Sequence, residues 1–194
     1  MNLQYSELSD ENSKVIRGPI LLKPKIFGDD RGFFYESWNK KDWCEILKSN
    51  HQKEAIFVQD NHSKSNRGVV RGLHFQKPPF EQTKLVRCVS GKILDVVVDL
   101  RKNSKTYGKS FSIELSSENN KQLFVPKGFA HGFQVLSETA SVNYKVDNFY
   151  NPKYDSGIVW NDKDLSIDWN LDIKPVLSVK DLKLISFKDL KSPF

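Results

Sequence analysis

The sequence predicts an all-β fold, a sandwich or barrel of short strands, and three observations carry that prediction. The centre of the chain alternates apolar and polar residues with the period of two that a half-buried strand requires. Turn signals break those runs at close intervals, at Ser90-Gly91, Tyr107-Gly108, Pro126-Lys127-Gly128 and Asn151-Pro152, which is the rhythm of successive antiparallel strands. Aromatic residues make up 12% of the chain, and their flat, bulky rings suit both sheets and pockets for planar ligands.

Taken in order, residues 1–14 are polar and read as a flexible N-terminal arm, and residues 15–194 as a single domain long enough for a full hydrophobic core. The segment NKKDWCEILKSN (39–50) reads as a short helix, with Asn39 as N-cap and Trp43, Ile46 and Leu47 as its apolar stripe. In ILDVVVDL, Leu94, Val96, Val98 and Leu100 share one face, while Ile93, Asp95, Val97 and Asp99 share a mixed one. FSIELSS aligns Phe111, Ile113 and Leu115. SVNYKVDN aligns Val142, Tyr144 and Val146, with Ser141, Asn143, Lys145 and Asp147 opposite. The tail LSVKDLKLISFKDLKSPF adds helical turns.

Charge and cysteine usage narrow the function. Lys plus Arg number 30 against 24 Asp plus Glu, a net charge of +6. That excess suits an anionic small molecule, and without a basic block it argues against a nucleic-acid partner. Cys44 and Cys88 lie far apart with no CxxC spacing, which excludes a thiolate zinc site and fits the reducing cytoplasm. The N-terminal stretch has no apolar run of signal-peptide type, and ILDVVVDL, interrupted by Asp95, is too short for a bilayer, so no membrane partner is expected.

The chemistry concentrates around VVRGLHFQKPPFEQTKLVRC (69–88) and FVPKGFAH (124–131). The second stretch has the P-x-G-x-x-H pattern of a cupin motif. Metal-binding cupins carry His-x-His in the partner motif, whereas the position two after His74 is Gln76, so histidines alone do not assemble a metal site. His131 then reads as a hydrogen-bonded histidine of a barrel wall. His74 remains as a base able to work near neutral pH, best when a carboxylate fixes its tautomer. Asp95 and Asp181 are both candidates for that carboxylate, and Ser178-x-x-Asp181 reads equally as a capping box. Tyr144, on an inward face, is either a core tyrosine or a proton donor. Lys84 is either a solvated surface lysine or a cation for an oxyanion. Strict alternation places Arg71 and His74 on opposite faces, so a common pocket requires a bulge, which Gly72 permits.

Four stretches in order, GDDRGFFYESW, DNHSKSNRGVVRGLHFQKPPFEQTKLVRCVSG, QLFVPKGFAHGF and LSVKD, resemble the dTDP-4-dehydrorhamnose 3,5-epimerase family, and the resemblance covers roughly residues 19–194. It implies a metal-free, cupin-like jelly-roll with short peripheral helices, usually a homodimer. The implied reaction converts dTDP-4-dehydro-6-deoxy-D-glucose to dTDP-4-dehydro-L-rhamnose with no cofactor. It implies His74 as base, Asp181 as the carboxylate behind it, Tyr144 as acid and Lys84 near the enolate oxygen. Arg31, Glu36, Gln59, Asn61, Arg71, His131, Asp155 and Lys180 match substrate-binding positions, as does Lys84. Phe149 falls where the family stacks an aromatic, commonly tyrosine, on thymine, and Asp155 is shorter than the usual glutamate. The first dozen residues extend beyond the family pattern.

Three other readings compete. Relatives of the same fold invert only C3 or only C5, or act on another nucleotide sugar. A silent sugar-nucleotide-binding cupin would not need a base, an acid and a supporting carboxylate together. A metal-dependent cupin oxygenase is disfavoured by Gln76.

Overall fold

The computed structural model describes residues 3–9 and 15–194. Its elements run β1 (Leu3–Ser9), β2 (Val15–Pro24), β3 (Phe27–Asp29), β4 (Gly32–Phe34), α1 (Lys40–Ser49), β5 (Gln59–Asn66), β6 (Val70–Gln76), β7 (Lys84–Ser90), β8 (Lys92–Asp99), β9 (Ser110–Ser116), β10 (Gln122–Val125), β11 (Phe129–Val135), β12 (Thr139–Val146) and β13 (Asp155–Gly157). A 3-10 turn at Asp181–Lys183 is the helical element of the tail.

Two antiparallel sheets face each other, as the alternation predicted. One has the order β1-β2-β10-β7-β12-β5 and the other β13-β6-β11-β8-β9, with β3 and β4 forming a separate hairpin. The central core lies between the sheets. The six-stranded sheet gives it Val86, Cys88, Leu123 and Val142, and the five-stranded sheet gives Ile93, Val97, Leu115 and Phe133. The other face of β8, with Val96 and Val98, packs against Trp160, Trp169 and Leu190 of the C-terminal segment. Both faces of β8 are therefore covered, which is why ILDVVVDL is apolar nearly throughout.

The outer face of the six-stranded sheet is covered by α1. Asn39 caps the helix by accepting from the Lys41 amide at 3.1 Å, and Trp43, Ile46 and Leu47 are buried against Ile20, Leu22, Leu85 and Phe124. Each such side chain contributes about 1.5–3 kcal/mol when fully buried, so this stripe, more than the cap, holds the helix in place. Leu3–Ser9 form β1, paired along β2, whereas residues 1, 2 and 10–14 of the expected arm lie outside the described residues.

Candidate active site

The bulge required at Gly72 is present. His131 pairs with His74 and Phe133 with Arg71, so two steps on β11 are matched by three on β6. The extra residue returns Arg71 and His74 to the same side, and both line one cavity of about 460 Å³ between the sheets. Gly72 has φ +122°, and a Cβ there would lie 2.6 Å from Gly132 Cα. Glycine is needed at that position for the close approach of the two strands.

The cavity draws its functional side chains from both sheets and the tail. The five-stranded sheet supplies Arg71, His74 and His131, the six-stranded sheet Lys84 and Tyr144, and the C-terminal segment Ser178, Lys180 and Asp181. His74 Nε2 lies 2.5 Å from Asp181 Oδ1. Of the two carboxylates open to His74 from the sequence, Asp181 is thus the one beside it. The Ser178 pattern holds as well, because Ser178 Oγ donates to Asp181 Oδ2 at 2.7 Å and accepts from the Asp181 amide at 3.1 Å. Burial pushes the Asp181 carboxyl up, but hydrogen bonds from His74 and Ser178 and the charges of His74 and Lys180 outweigh it and hold the group below its ordinary value. Asp181 is therefore a carboxylate at neutral pH, suited to holding the Nε2 proton and leaving Nδ1 as the basic atom.

Asp95 serves the other histidine. Its Oδ1 lies 2.8 Å from His131 Nε2, and the carboxylate is fully buried. Across the cavity, Lys84 and Tyr144 have no side-chain hydrogen bond among the described residues. Burial pulls the Lys84 ammonium down to about 8, against the opposing charges of Asp95 and Asp155. Burial also pushes the Tyr144 phenol up, while the Arg71 charge pulls the other way, so Tyr144 keeps its proton at neutral pH. Arg71 is steadied by Ser65, which accepts from its Nε at 3.1 Å.

The remaining predicted positions fall at the rim or outside it. On β5, Gln59 and Asn61 share a face with Ser63, which lines the cavity; Gln59 Nε2 donates to Asn61 Oδ1 at 2.8 Å. Asp155 takes the Lys180 ammonium and the Tyr150 hydroxyl. Phe149 is 61% exposed. Arg31 and Glu36 are not brought to this cavity. Arg31 pairs with Asp29 in the β3–β4 hairpin, its side chain 89% exposed, and Glu36 accepts both Asn39 Nδ2 contacts beside α1.

Sequence reasoning assigned Gln76 only a negative role, and the structure gives it a positive one. Its Nε2 donates to the Phe80 and Phe149 carbonyls at 2.6 and 3.1 Å, and its Oε1 accepts from the Asn151 amide at 2.7 Å. Gln76 thereby fastens the loop that presents Phe149. The signal for this was available only as an amide side chain on a strand followed by Pro78-Pro79, which does not name its partners.

Comparison with known proteins identifies the family. The family model for dTDP-4-dehydrorhamnose 3,5-epimerase matches residues 13–189. The dTDP-4-dehydrorhamnose 3,5-epimerase of Escherichia coli K12 is 49% identical over 190 residues, covering 98% of this chain and 96% of its own. The crystal structure of dTDP-6-deoxy-D-glucose-3,5-epimerase from Legionella pneumophila, in complex with dTDP-4-keto-L-rhamnose, superposes with a TM-score of 0.88 at 40% identity, covering 97% of this chain and 95% of that one. ChmJ, a 3'-monoepimerase from Streptomyces bikiniensis in complex with dTDP-quinovose, gives a TM-score of 0.81 at 30% identity, covering 87% and 83%. With a family model matching most of the chain, near-complete coverage of its Escherichia coli relative in both directions and a shared jelly-roll, the chain belongs to the dTDP-4-dehydrorhamnose 3,5-epimerase family.

Proposed function

We propose that this protein inverts C3 and C5 of dTDP-4-dehydro-6-deoxy-D-glucose, giving dTDP-4-dehydro-L-rhamnose. The observation that carries the reading is the placement of His74 and Tyr144 on opposite sheets across one cavity. Hydrogens at C3 and C5 are acidified by the adjacent C4 ketone. His74 takes a proton from one face, the electron pair moves onto the ketone oxygen as an enolate, and Lys84 faces that oxygen as a cation. The Tyr144 hydroxyl then returns a proton to the other face. His74 and Tyr144 exchange protons with solvent to complete the cycle, and none of these steps calls for a redox cofactor.

Arg71, His131 and Lys180 serve the diphosphate and sugar oxygens in this reading, with Gln59, Asn61 and Asp155 at the rim and Phe149 stacking on thymine. Arg31 and Glu36 enter through a homodimer. Their hairpin exposes Phe33 and Phe34 at 62% and 65%, and a second copy of the chain is the partner that would cover them and bring Arg31 towards a neighbouring cavity. The protein works in the cytoplasm in this account, consistent with free thiols at Cys44 and Cys88. No helix among the described residues is long and apolar enough to cross a membrane.

The test is incubation of the protein with dTDP-4-dehydro-6-deoxyglucose in deuterated water, read by mass spectrometry. Two deuterons gained are expected. One deuteron would make the enzyme a single-position epimerase, as the 3'-monoepimerase ChmJ is, and none would sink the enzymatic reading.

A further inference from the structure

Asp95 is left unused by the proton-transfer scheme, yet it is a fully enclosed carboxylate directly behind a residue that lines the site, His131. It is 0% exposed, on the inward face of β8 beside Ile93 and Val97. A buried carboxylate is costly unless other groups compensate it, and an apolar residue would fill the same space at no such cost. Here compensation is half complete. Oδ1 has His131 Nε2 at 2.8 Å, while the equally buried Oδ2 has no hydrogen-bond partner. Its charge also acts on Lys84, which lines the same cavity as His131 and is without a side-chain hydrogen bond among the described residues.

We propose, resting on the epimerase reading, that Asp95 is a positioning residue that works in two directions: one oxygen orients His131, and the negative charge behind the other steadies Lys84. The first direction follows from tautomers. With Nε2–H donated to Asp95, His131 turns Nδ1 towards the ligand as an acceptor for a sugar hydroxyl, or as a donor once the ring is protonated. The second follows from electrostatics at low dielectric. Burial pulls the Lys84 ammonium down to about 8, close enough to neutral pH that losing one nearby anion would leave much of it uncharged. An uncharged amine would be a weaker partner for an enolate oxygen.

Other charges act on the same ammonium. Asp155 on β13 supports it and Lys180 of the tail opposes it, while Arg71 and His74 on β6, His131 on β11, Tyr144 on β12 and Asp181 of the tail share its cavity. Asp155 is already engaged by Lys180 and Tyr150. Asp95 is therefore the carboxylate whose charge has the least competing commitment. His74 and His131 are direct cross-strand partners, so the site holds two neighbouring histidines, each with its own carboxylate.

The test compares wild type, Asp95→Asn and Asp95→Leu. Asn keeps the shape and an acceptor for His131 but removes the charge. Leu removes both and serves only if its thermal unfolding stays cooperative. Labelled-protein NMR follows the Lys84 side chain and the His131 ring nitrogens through a pH titration, with Lys84→Arg used to assign the lysine signal. The expected result for Asp95→Asn is a Lys84 midpoint lower by roughly one pH unit, the size usual for a nearby charge. The basic limb of kcat/KM should move with it, so that activity falls about fivefold at pH 8 and recovers towards wild type at pH 6.5. An unmoved Lys84 midpoint and an unmoved limb would overturn the proposal and leave Asp95 as a core hydrogen-bond acceptor. A uniform loss of activity at every pH, with no shift, would overturn it too. Wild-type protein that fails to turn over would instead overturn the epimerase reading and the role given to both groups; the NMR midpoints would still report whether Asp95 holds Lys84 charged.

Discussion

The two walls of the cavity are built to different standards. On the five-stranded sheet, each histidine is fixed by a carboxylate, His74 by Asp181 at 2.5 Å and His131 by Asp95 at 2.8 Å. On the six-stranded sheet, Lys84 and Tyr144 project into the same space with no side-chain hydrogen bonds among the described residues, and their protonation is set mainly by burial. A base must hold one tautomer and one direction before substrate arrives, so pre-organisation is valuable there. A general acid and an oxyanion partner meet groups that appear only during the reaction, and a committed hydrogen bond would have to be broken first. In the proposed scheme, proton removal belongs to the first sheet and proton return to the second, which matches this contrast.

The largest effect expected is on the fixed wall. His74→Asn should lower kcat by about 10²–10⁴ while dTDP affinity, read by calorimetry, stays within a few fold. Turnover at the wild-type rate would remove His74 from the base role. The open wall should show itself in pH dependence. Lys84 sits below its ordinary value, at about 8; it is a cation below that pH and neutral above it. The kcat/KM profile, which reports the free enzyme, should therefore decline as pH rises through about 8. Lys84→Arg, which stays charged, should abolish that limb, and a limb unchanged in Lys84→Arg would assign it elsewhere.

The smallest effect belongs to the rim. Gln76→Ala removes both carbonyl contacts and the acceptor for Asn151, freeing the loop that carries Phe149. Each hydrogen bond lost contributes about 0.5–1.5 kcal/mol. KM should rise several-fold with kcat nearly unchanged, and an equal fall in kcat would mean that Gln76 acts on the chemistry.

What the sequence made legible follows from which forces are periodic. The two faces of β8 and the inward face of β12 were readable because side chains alternate, so Tyr144 could be placed with Val142 before any contact was known; alternation did not say that the mixed face of β8 is the one between the sheets. The bulge at Gly72 was readable as a conflict between alternation and a shared pocket. Strand β1 was hidden because only Leu8 of its described side chains is buried; its stability comes from main-chain pairing with β2, which leaves no hydrophobic pattern. The two carboxylates could not be apportioned because the contacts are distant in sequence. Asp181 reaches His74 across 107 residues, and Asp95 meets His131 only through the β8–β11 register. Arg31 and Glu36 matched a motif, but a motif does not say whose cavity a residue serves, and in this chain both stand away from their own.

The division of labour between the walls is tested most directly by Tyr144→Phe. The ring keeps its packing with the core and loses only the hydroxyl, while His74 and Asp181 are untouched. Incubated with dTDP-4-dehydro-6-deoxyglucose in deuterated water, this variant should still wash deuterium into the sugar, because His74 can return a solvent-derived proton to the face from which it took one. Little L-configured product should form. Isotope content by mass spectrometry and configuration by NMR, on one reaction mixture, give the ratio of exchange to inversion. This ratio should rise steeply over wild type; inversion persisting at the wild-type rate would return Tyr144 to the core and end the division between the two walls.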